Sequence, residues 1–329
     1  MSTQHPRPPD GVPGQPVRPP LTWLDAEEVR RRVSPDQARR LLRAALDGGL
    51  DPANDPPRST PAAGAGQLLI MPSATAESVG VKVLSVAPDN PQRGLPRIQA
   101  WYVYMDAATL TPSVLLDGTA LTALRTPATS ALAADLLAPE HVDELVLVGS
   151  GPQALGHAEA LAQIRALGHV TVVGRDPSRA RACADAIQKS GLACDVAADP
   201  AAVEEAVRRA GIVVCATSSA TPVIEEDWIA DGACVVAIGS HEPDRRELDA
   251  RLMGRALVVV EDVATALREA GDVIMAIAEG ALTETDLHPL RHLVQGRIAR
   301  ATDRPNVVKT VGMSWQDLVL AEGAVRAGP

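Results

Sequence analysis

Apolar residues change their rhythm twice along the chain. Between Asp25 and Leu46 they recur at helical spacing (Ala38, Leu41, Leu42, Leu46), and Ser34 followed by Pro35 marks a helix start. Residues 51–66 form a Pro-rich loop. Four runs of apolar or alternating character then follow, 67–71, 80–86, 98–105 and 113–117, broken by Gly, Pro and Asn. They predict strands joined by short connections, and so a largely antiparallel sheet. Beyond Thr126 the texture changes: 128–137 is helical, and the aliphatic runs 145–149, 170–174, 212–217, 234–239 and 256–262 alternate with Ala-rich helical stretches. Buried aliphatic strands at those intervals predict a doubly wound parallel sheet. A helix is expected over 154–167, and from Asn306 the chain returns to a strand-like run and a helix over 315–325.

Composition narrows the class. A chain of 329 residues holds enough core for two domains, and with 46% hydrophobic residues but no Phe that core is built from Ala, Val, Leu and Ile. Lys and Arg number 31 against 41 Asp and Glu, a formal charge of −10 without a basic tract, which argues against a nucleic-acid partner. The four cysteines, Cys183, Cys194, Cys215 and Cys234, form no CxxC pair, so no metal site is expected and they read as small core residues of a reduced compartment. No stretch is apolar for the roughly 18 residues a membrane span needs, and the N-terminus has no apolar signal core. A cytoplasmic protein without a membrane partner is the expectation. Residues 1–20, rich in Pro and Gly, are expected to be a disordered tail.

The clearest chemistry follows the first aliphatic run of the second half. Gly149-Ser150-Gly151-Pro152-Gln153-Ala154 is a GxGxxA string between a strand and a helix: Gly149 makes the tight turn, Gly151 lets a pyrophosphate approach the backbone, and Ala154 allows close packing. With Pro152 and Gln153 opening the helix, this is a Rossmann dinucleotide site. At the end of the next strand, where NAD sites carry an acid for the ribose hydroxyl, the chain has Gly174 and then Arg175. NADP(H) is therefore favoured over NAD(H), with Arg179 assisting; the other reading is that Arg175 is solvated and Asp176 caps the helix starting at Pro177. Thr217 and Ser218 stand at the carboxyl edge of the sheet, as ligand contacts or as a helix cap. Three cations have unusual surroundings: Arg58 in the Pro-rich loop, Lys82 inside a strand and Arg125 just before the nucleotide half.

Five dispersed strings, in order, carry a resemblance: Gly80-Val81-Lys82-Val83; Asp117-Gly118 with Leu121 to Thr126; Gly149 to Ala154; Gly239-Ser240 with Pro243 and Arg246-Glu247-Leu248; and Lys309-Thr310-Val311-Gly312 with Asp317. Together they resemble the ornithine cyclodeaminase and mu-crystallin family. The resemblance implies a homodimer in which residues 21–126 and 303–329 form a smaller α+β substrate-binding and dimerisation domain, joined to a Rossmann domain over 127–302. It also implies that Arg58, Lys82 and Arg125 bind the carboxylate of an amino or imino acid beside the nicotinamide, a good match for an Arg fork. Thr126, Gly239, Val311 and Gly312 fall on the cofactor side.

Two departures decide between branches of that family. Where the cyclodeaminases carry an Asp after the Gly pair this chain has His241, and where they carry a Glu before Met-Pro it has Leu69. Loss of both carboxylates argues against deamination of ornithine and is similar to the imine-reducing branch. The expectation is an NADPH-dependent reductase of cyclic imino acids of the pyrroline- or piperideine-2-carboxylate type. Lys82 and His241 are then the catalytic candidates, the imidazole as proton donor or as a solvated loop residue beside Glu242. The alternatives are an ornithine cyclodeaminase, an alanine-dehydrogenase-like or opine-forming enzyme, and a protein that binds NADPH and a small ligand without turnover. His157, His288 and His292 read as structural.

Overall fold

The computed structural model describes residues 20–328, and the expected tail at 1–20 lies outside them but for Pro20. Six strands form the first sheet: β1 (Thr22–Leu24), β2 (Ala62–Ala63), β3 (Gly66–Ala74), β4 (Ser78–Val86), β5 (Ile98–Asp106) and β6 (Pro112–Asp117), in the order β1-β6-β5-β4-β3-β2. All neighbours are antiparallel except β1 and β6. Alternation along β4 buries Gly80, Lys82, Leu84 and Val86 on one face, which is the face toward the rest of the molecule. Helices α1 (Ala26–Arg32) and α2 (Pro35–Asp47) precede β2. The second is opened by a reciprocal capping box between Ser34 and Gln37 and buries Ala38, Leu42 and Leu46.

The second sheet has eight strands: β7 (Val142–Val148), β8 (Leu167–Val173), β9 (Cys194–Ala197), β10 (Ile212–Cys215), β11 (Cys234–Ala237), β12 (Leu257–Val260), β13 (Leu287–Pro289) and β14 (Asn306–Lys309). Their order is β13-β12-β14-β11-β10-β7-β8-β9 and every neighbouring pair is parallel. The strand order reverses between β7 and β10, which opens a crevice at their carboxyl ends. The remaining helices are α3 (Gly118–Leu137), α4 (Pro152–Leu161), α5 (Pro177–Lys189), α6 (Pro200–Arg209), α7 (Ala250–Arg255), α8 (Val263–Glu269), α9 (Gly271–Ala278), α10 (Leu290–Val294) and α11 (Ser314–Arg326). Two large aliphatic clusters lie on the two faces of the parallel sheet; the first also takes in α2, α3 and α11. A third cluster, Leu69, Met71, Leu84, Val86 and Ala100, lines the inner face of the first sheet.

Three sequence expectations are corrected. The segment 303–329, expected whole in the smaller domain, is divided. Strand β14 pairs on both sides within the parallel sheet, because Asn306 to Lys309 are all buried and a two-sided aliphatic strand needs two neighbours, while α11 packs on α2, α3 and the first sheet. The expected boundary at Thr126 and Pro127 falls inside one continuous helix, α3, whose residues from Leu124 to Ala134 are all buried, so packing overrides the interior proline. The helix expected over 154–167 stops at Leu161. The turn after it is held by Arg165, which donates to Asp135 Oδ1 (2.8 Å) and to the Pro139 carbonyl (2.9 Å).

Candidate active site

Where the two sheets meet, a cavity of about 230 Å³ opens between Leu69, Met71, Leu84 and Val86 of the first sheet and the carboxyl edge of the second. The edge contributes Thr126, Gln153, Thr217, Gly239, His241, Val311 and Gly312, and the cations Arg58 and Arg125 also stand in the wall. Past Leu69 and His241 the space continues into a more polar recess lined by Arg58, Thr60, Gln67, Glu242 and Arg268.

The dinucleotide string has the geometry its spacing requires. Gly149 has φ +130°, and a Cβ there would lie 2.4 Å from the Ala216 carbonyl oxygen, so the turn excludes any side chain. Gly151 caps α4 without a side-chain partner for the helix N–H groups, and nothing lies within 4 Å of the position its Cβ would take. Bare N–H groups at a helix start with open space before them suit a pyrophosphate. Ala154 is fully buried, and the Gln153 side-chain oxygen is buried without a hydrogen-bond partner beside the cavity. These residues fit a nicotinamide dinucleotide.

The neighbouring strand end shows the capping that the second reading expected. Asp176 does cap α5, accepting from Ser178 N (2.9 Å) and Arg179 N (3.2 Å). Arg175 and Arg179 are exposed and take part in no ion pair among the described residues. Ser218 is exposed and away from the cavity wall; its carbonyl accepts from Arg245 (3.2 Å).

The three cations differ sharply in what already holds them. Arg58 pairs with Glu269 of α8 at 2.5 Å and donates to the Val311 carbonyl (3.2 Å), so its fork bridges the two sheets. Arg125, 8% exposed, makes one long hydrogen bond to Gln316 (3.4 Å), and its buried Nε has no hydrogen-bond partner but lies 3.9 Å from Asp317 Oδ1, a loose ion pair. Its guanidinium is pressed against Gly312, where φ is +81° and a Cβ would sit 2.5 Å from an Arg nitrogen. Lys82 is fully buried on β4: its ammonium donates to Asp317 Oδ2 (2.6 Å) and to Thr122 Oγ1 (3.2 Å). It is not among the residues that line the cavity, whereas Thr122, to which it donates, is. Burial pushes the Lys82 ammonium down to about 8, while Asp317 holds it up against that loss of solvation.

His241 is half-buried on the cavity wall, not solvated at a loop tip, and Glu242 pairs with Arg245 (2.7 Å) instead. Burial first and Arg58 second hold the imidazole below its ordinary range, so it is neutral at pH 7. His157 is buried, bonded to Ser130 Oγ (2.8 Å) and the Gln153 carbonyl (2.7 Å), and lies outside the wall.

Buried acids that sequence spacing did not single out shape the site. Glu247 accepts from Thr217 N, Thr217 Oγ1 and Gly239 N at 2.6 to 2.7 Å, and Glu261 accepts from Val311 N (2.7 Å), Gly312 N (2.9 Å) and Gln316 Nε2 (2.6 Å). Each clamps the chain at the carboxyl ends of neighbouring strands. Lys309 and Asp272, paired at 2.9 Å with neither exposed, hold that framework from below: Asp272 accepts from Glu247 N and Leu248 N. Asp55 reaches from the Pro-rich loop to Trp315 N (2.6 Å) and Ser73 Oγ (2.6 Å), fixing the start of α11. The sequence signal for Asp317 is an acid set in an apolar helical run, Trp315 to Val325.

Fold and site together define an NAD(P)-dependent oxidoreductase. The chain belongs to the ornithine cyclodeaminase/mu-crystallin family, whose model matches residues 26–326. It is 36% identical to a Delta(1)-pyrroline-2-carboxylate reductase of Bacillus cereus over 261 residues, 77% of this chain and 79% of that one. With the ketimine reductase mu-crystallin of Mus musculus it shares 30% over 259 residues, 78% and 79% of the two chains. Among solved structures, Thermococcus litoralis Delta(1)-pyrroline-2-carboxylate reductase in complex with NADH and L-proline superposes with a TM-score of 0.87 at 27% identity, covering 93% of this chain and 97% of that one.

Proposed function

We propose that the protein is an NADPH-dependent reductase of cyclic imino acids, converting a ring C=N next to a carboxylate into an amino acid such as proline or pipecolate. The observation that carries this reading is Arg125: a buried fork held only by one long hydrogen bond to Gln316 and a loose ion pair to Asp317, in a cavity at the carboxyl edge of a dinucleotide sheet. A planar guanidinium in a site shielded from water is built for one carboxylate. Relatives named pyrroline-2-carboxylate reductase and ketimine reductase support the same substrate class.

The nicotinamide, when bound, supplies the hydride chemistry. Gly149, Gly151 and the start of α4 hold its diphosphate, and Gln153, Thr126, Thr217, Gly239, Val311 and Gly312 frame the end that faces the substrate. Arg125 anchors the carboxylate and so orients the imine carbon, which turns an encounter into a positioned reaction. Arg58 closes the cavity from the loop side through Glu269 and lends positive potential to the carboxylate. Leu69, Met71 and Leu84 exclude water around the ring. His241, neutral at working pH, serves as wall rather than acid. The polar recess beyond His241 leaves room for the six-membered as well as the five-membered ring.

Arg175, with Arg179, selects the 2′-phosphate, since no acid stands at the strand end and both cations are uncommitted. The partner is a second copy of the chain, docked through the outer face of the first sheet, where Trp23, Val83 and Trp101 are 45%, 37% and 53% exposed and the two Trp rings meet at a tilt of 44° with centroids 4.9 Å apart. Four unpaired, buried cysteines accord with a reducing, cytoplasmic setting. No helix among the described residues is long and apolar enough to cross a membrane.

The test is NADPH oxidation followed at 340 nm with pyrroline-2-carboxylate and with piperideine-2-carboxylate, NADH run in parallel and L-ornithine with NAD as the control. NADPH-selective imine reduction is the expected result. Proline formation from ornithine without imine reduction would overturn the reading, and NADPH binding without turnover of any substrate would favour a binding protein.

A further inference from the structure

Resting on the imine-reductase reading, we propose that Gln316, turned by Glu261, is a positioning residue: it sets the Arg125 fork for the substrate carboxylate and leaves the charge of that fork free to receive it. Three observations carry it. Arg58 and Lys82 each have a carboxylate oxygen in contact, from Glu269 at 2.5 Å and Asp317 at 2.6 Å, whereas Arg125 has none closer than 3.9 Å among the described residues. Its one hydrogen bond goes to the neutral amide oxygen of Gln316 (3.4 Å), and the direction of that amide is fixed from behind. Glu261, just after β12, has only acceptors to offer: one oxygen takes Val311 N (2.7 Å) and Gly312 N (2.9 Å), the other Gln316 Nε2 (2.6 Å). With its nitrogen held there, the amide turns its oxygen to Met313 N (3.3 Å) and to Arg125. The same carboxylate fixes the surface on which the fork lies, since the Gly312 whose N–H it holds is the residue pressed against the guanidinium.

Neutrality is what the position of Gln316 requires. Glu261 and Gln316 are both buried, so the bond between them is not traded against water. A carboxylate in place of Gln316 would pair with Arg125 directly and repel an incoming carboxylate, whereas an amide holds the fork by its dipole and yields to a full charge. The planar fork is thus ordered before the substrate arrives, and the imino acid does not spend its own binding energy on that ordering. Neither Glu261 nor Gln316 is among the residues that line the cavity, so both act through Arg125 and not on the reacting atoms. Val311 and Gly312 do line it beside Arg125, and through them the one carboxylate aligns the substrate anchor with the wall that frames the nicotinamide.

Two variants test the assignment. Glu261→Gln keeps the shape and reverses the amide. The new side chain keeps its oxygen on the two short backbone bonds and points its NH2 at Gln316, which must turn over and set its own NH2 against Arg125, donor against donor. Gln316→Met keeps the length, leaves Glu261 its two backbone donors and removes the acceptor from Arg125. In both, KM for piperideine-2-carboxylate should rise by about 10-fold or more, while kcat at saturation and NADPH affinity by fluorescence titration stay within about 2-fold. Loosening of the fold without a role toward Arg125 would spread the loss over kcat and NADPH affinity as well. Wild-type turnover together with an unmoved KM in either folded variant, or with a loss shared among all three quantities, overturns the role of Gln316 and leaves imine reduction standing. A wild type that reduces neither imine overturns the functional reading itself. Should Glu261→Gln fail to fold, Gln316→Met decides alone, since it leaves the Glu261 clamp on Val311 and Gly312 in place.

Discussion

Arg125, Arg58 and Lys82 look alike in the sequence and do different work in the fold, and single substitutions separate them. Arg125→Lys keeps the charge and loses the fork, so KM for the imino acid should rise by at least about 30-fold while NADPH affinity is unchanged; fluorescence titration beside steady-state kinetics checks both. Gly312→Ala should reproduce the loss without touching a charge. Its Cβ would enter the Arg125 guanidinium, and φ +81° strains any residue with a side chain. Arg175→Ala should weaken NADPH by about 10-fold or more and leave NADH as it is, which a titration of both cofactors reads directly. An equal effect on both would remove the 2′-phosphate contact from the proposal. His157 carries a different expectation. Burial lowers it from 6.5 to about 4, so between those pH values the unfolded chain binds the proton and the folded chain does not. The stability it helps to define is present above about 6.5 and is lost as pH falls toward about 4, a loss that thermal melts of the wild type should show and His157→Gln should reduce.

At the scale of elements, α11 is started by a residue from the other end of the chain. Asp55 caps Trp315 N across 260 positions of sequence and holds Ser73 as well. Burial raises its carboxyl to about 6, above the ordinary 3.8, so its contribution to stability is largest at acid pH and declines as pH rises through about 6. At pH 7.5, Asp55→Asn should match or exceed the wild type in Tm: the amide oxygen can still accept from Trp315 N, its NH2 can donate to the Ser73 hydroxyl in place of accepting from it, and the buried charge is gone. Asp55→Ala should lower the free energy of unfolding by about 1 kcal/mol, the size of a lost cap. The elements legible in the sequence were those whose signal is local: the aliphatic strands β7, β8, β10, β11 and β12, and the glycine turn after β7. What escaped was set by distant partners. Nothing near Thr126 told that packing would carry α3 through Pro127, and Glu247, Glu261 and Asp317 look like solvated charges until donors 30 to 235 residues away are brought beside them.

The whole molecule joins its two sheets through Arg58 to Glu269 and through α3 as a shared beam, while the Asp317–Lys82 pair ties the C-terminal helix to the first sheet. The exposed Trp23 and Trp101 pair stands on the far side of the first sheet, away from that junction. Trp101→Glu should abolish the proposed dimer in light scattering, since it places a charge at the centre of the apolar strip. Strand β14 has a consequence of another kind. It fills the slot between β11 and β12, so a ribosome releases every other strand of the parallel sheet before the piece that joins its two halves exists. Until then β11 and β12 each present an unpaired aliphatic edge, the kind of surface that recruits other chains. Loss of residues 306–329 would leave the nucleotide half split and open to aggregation rather than merely shortened.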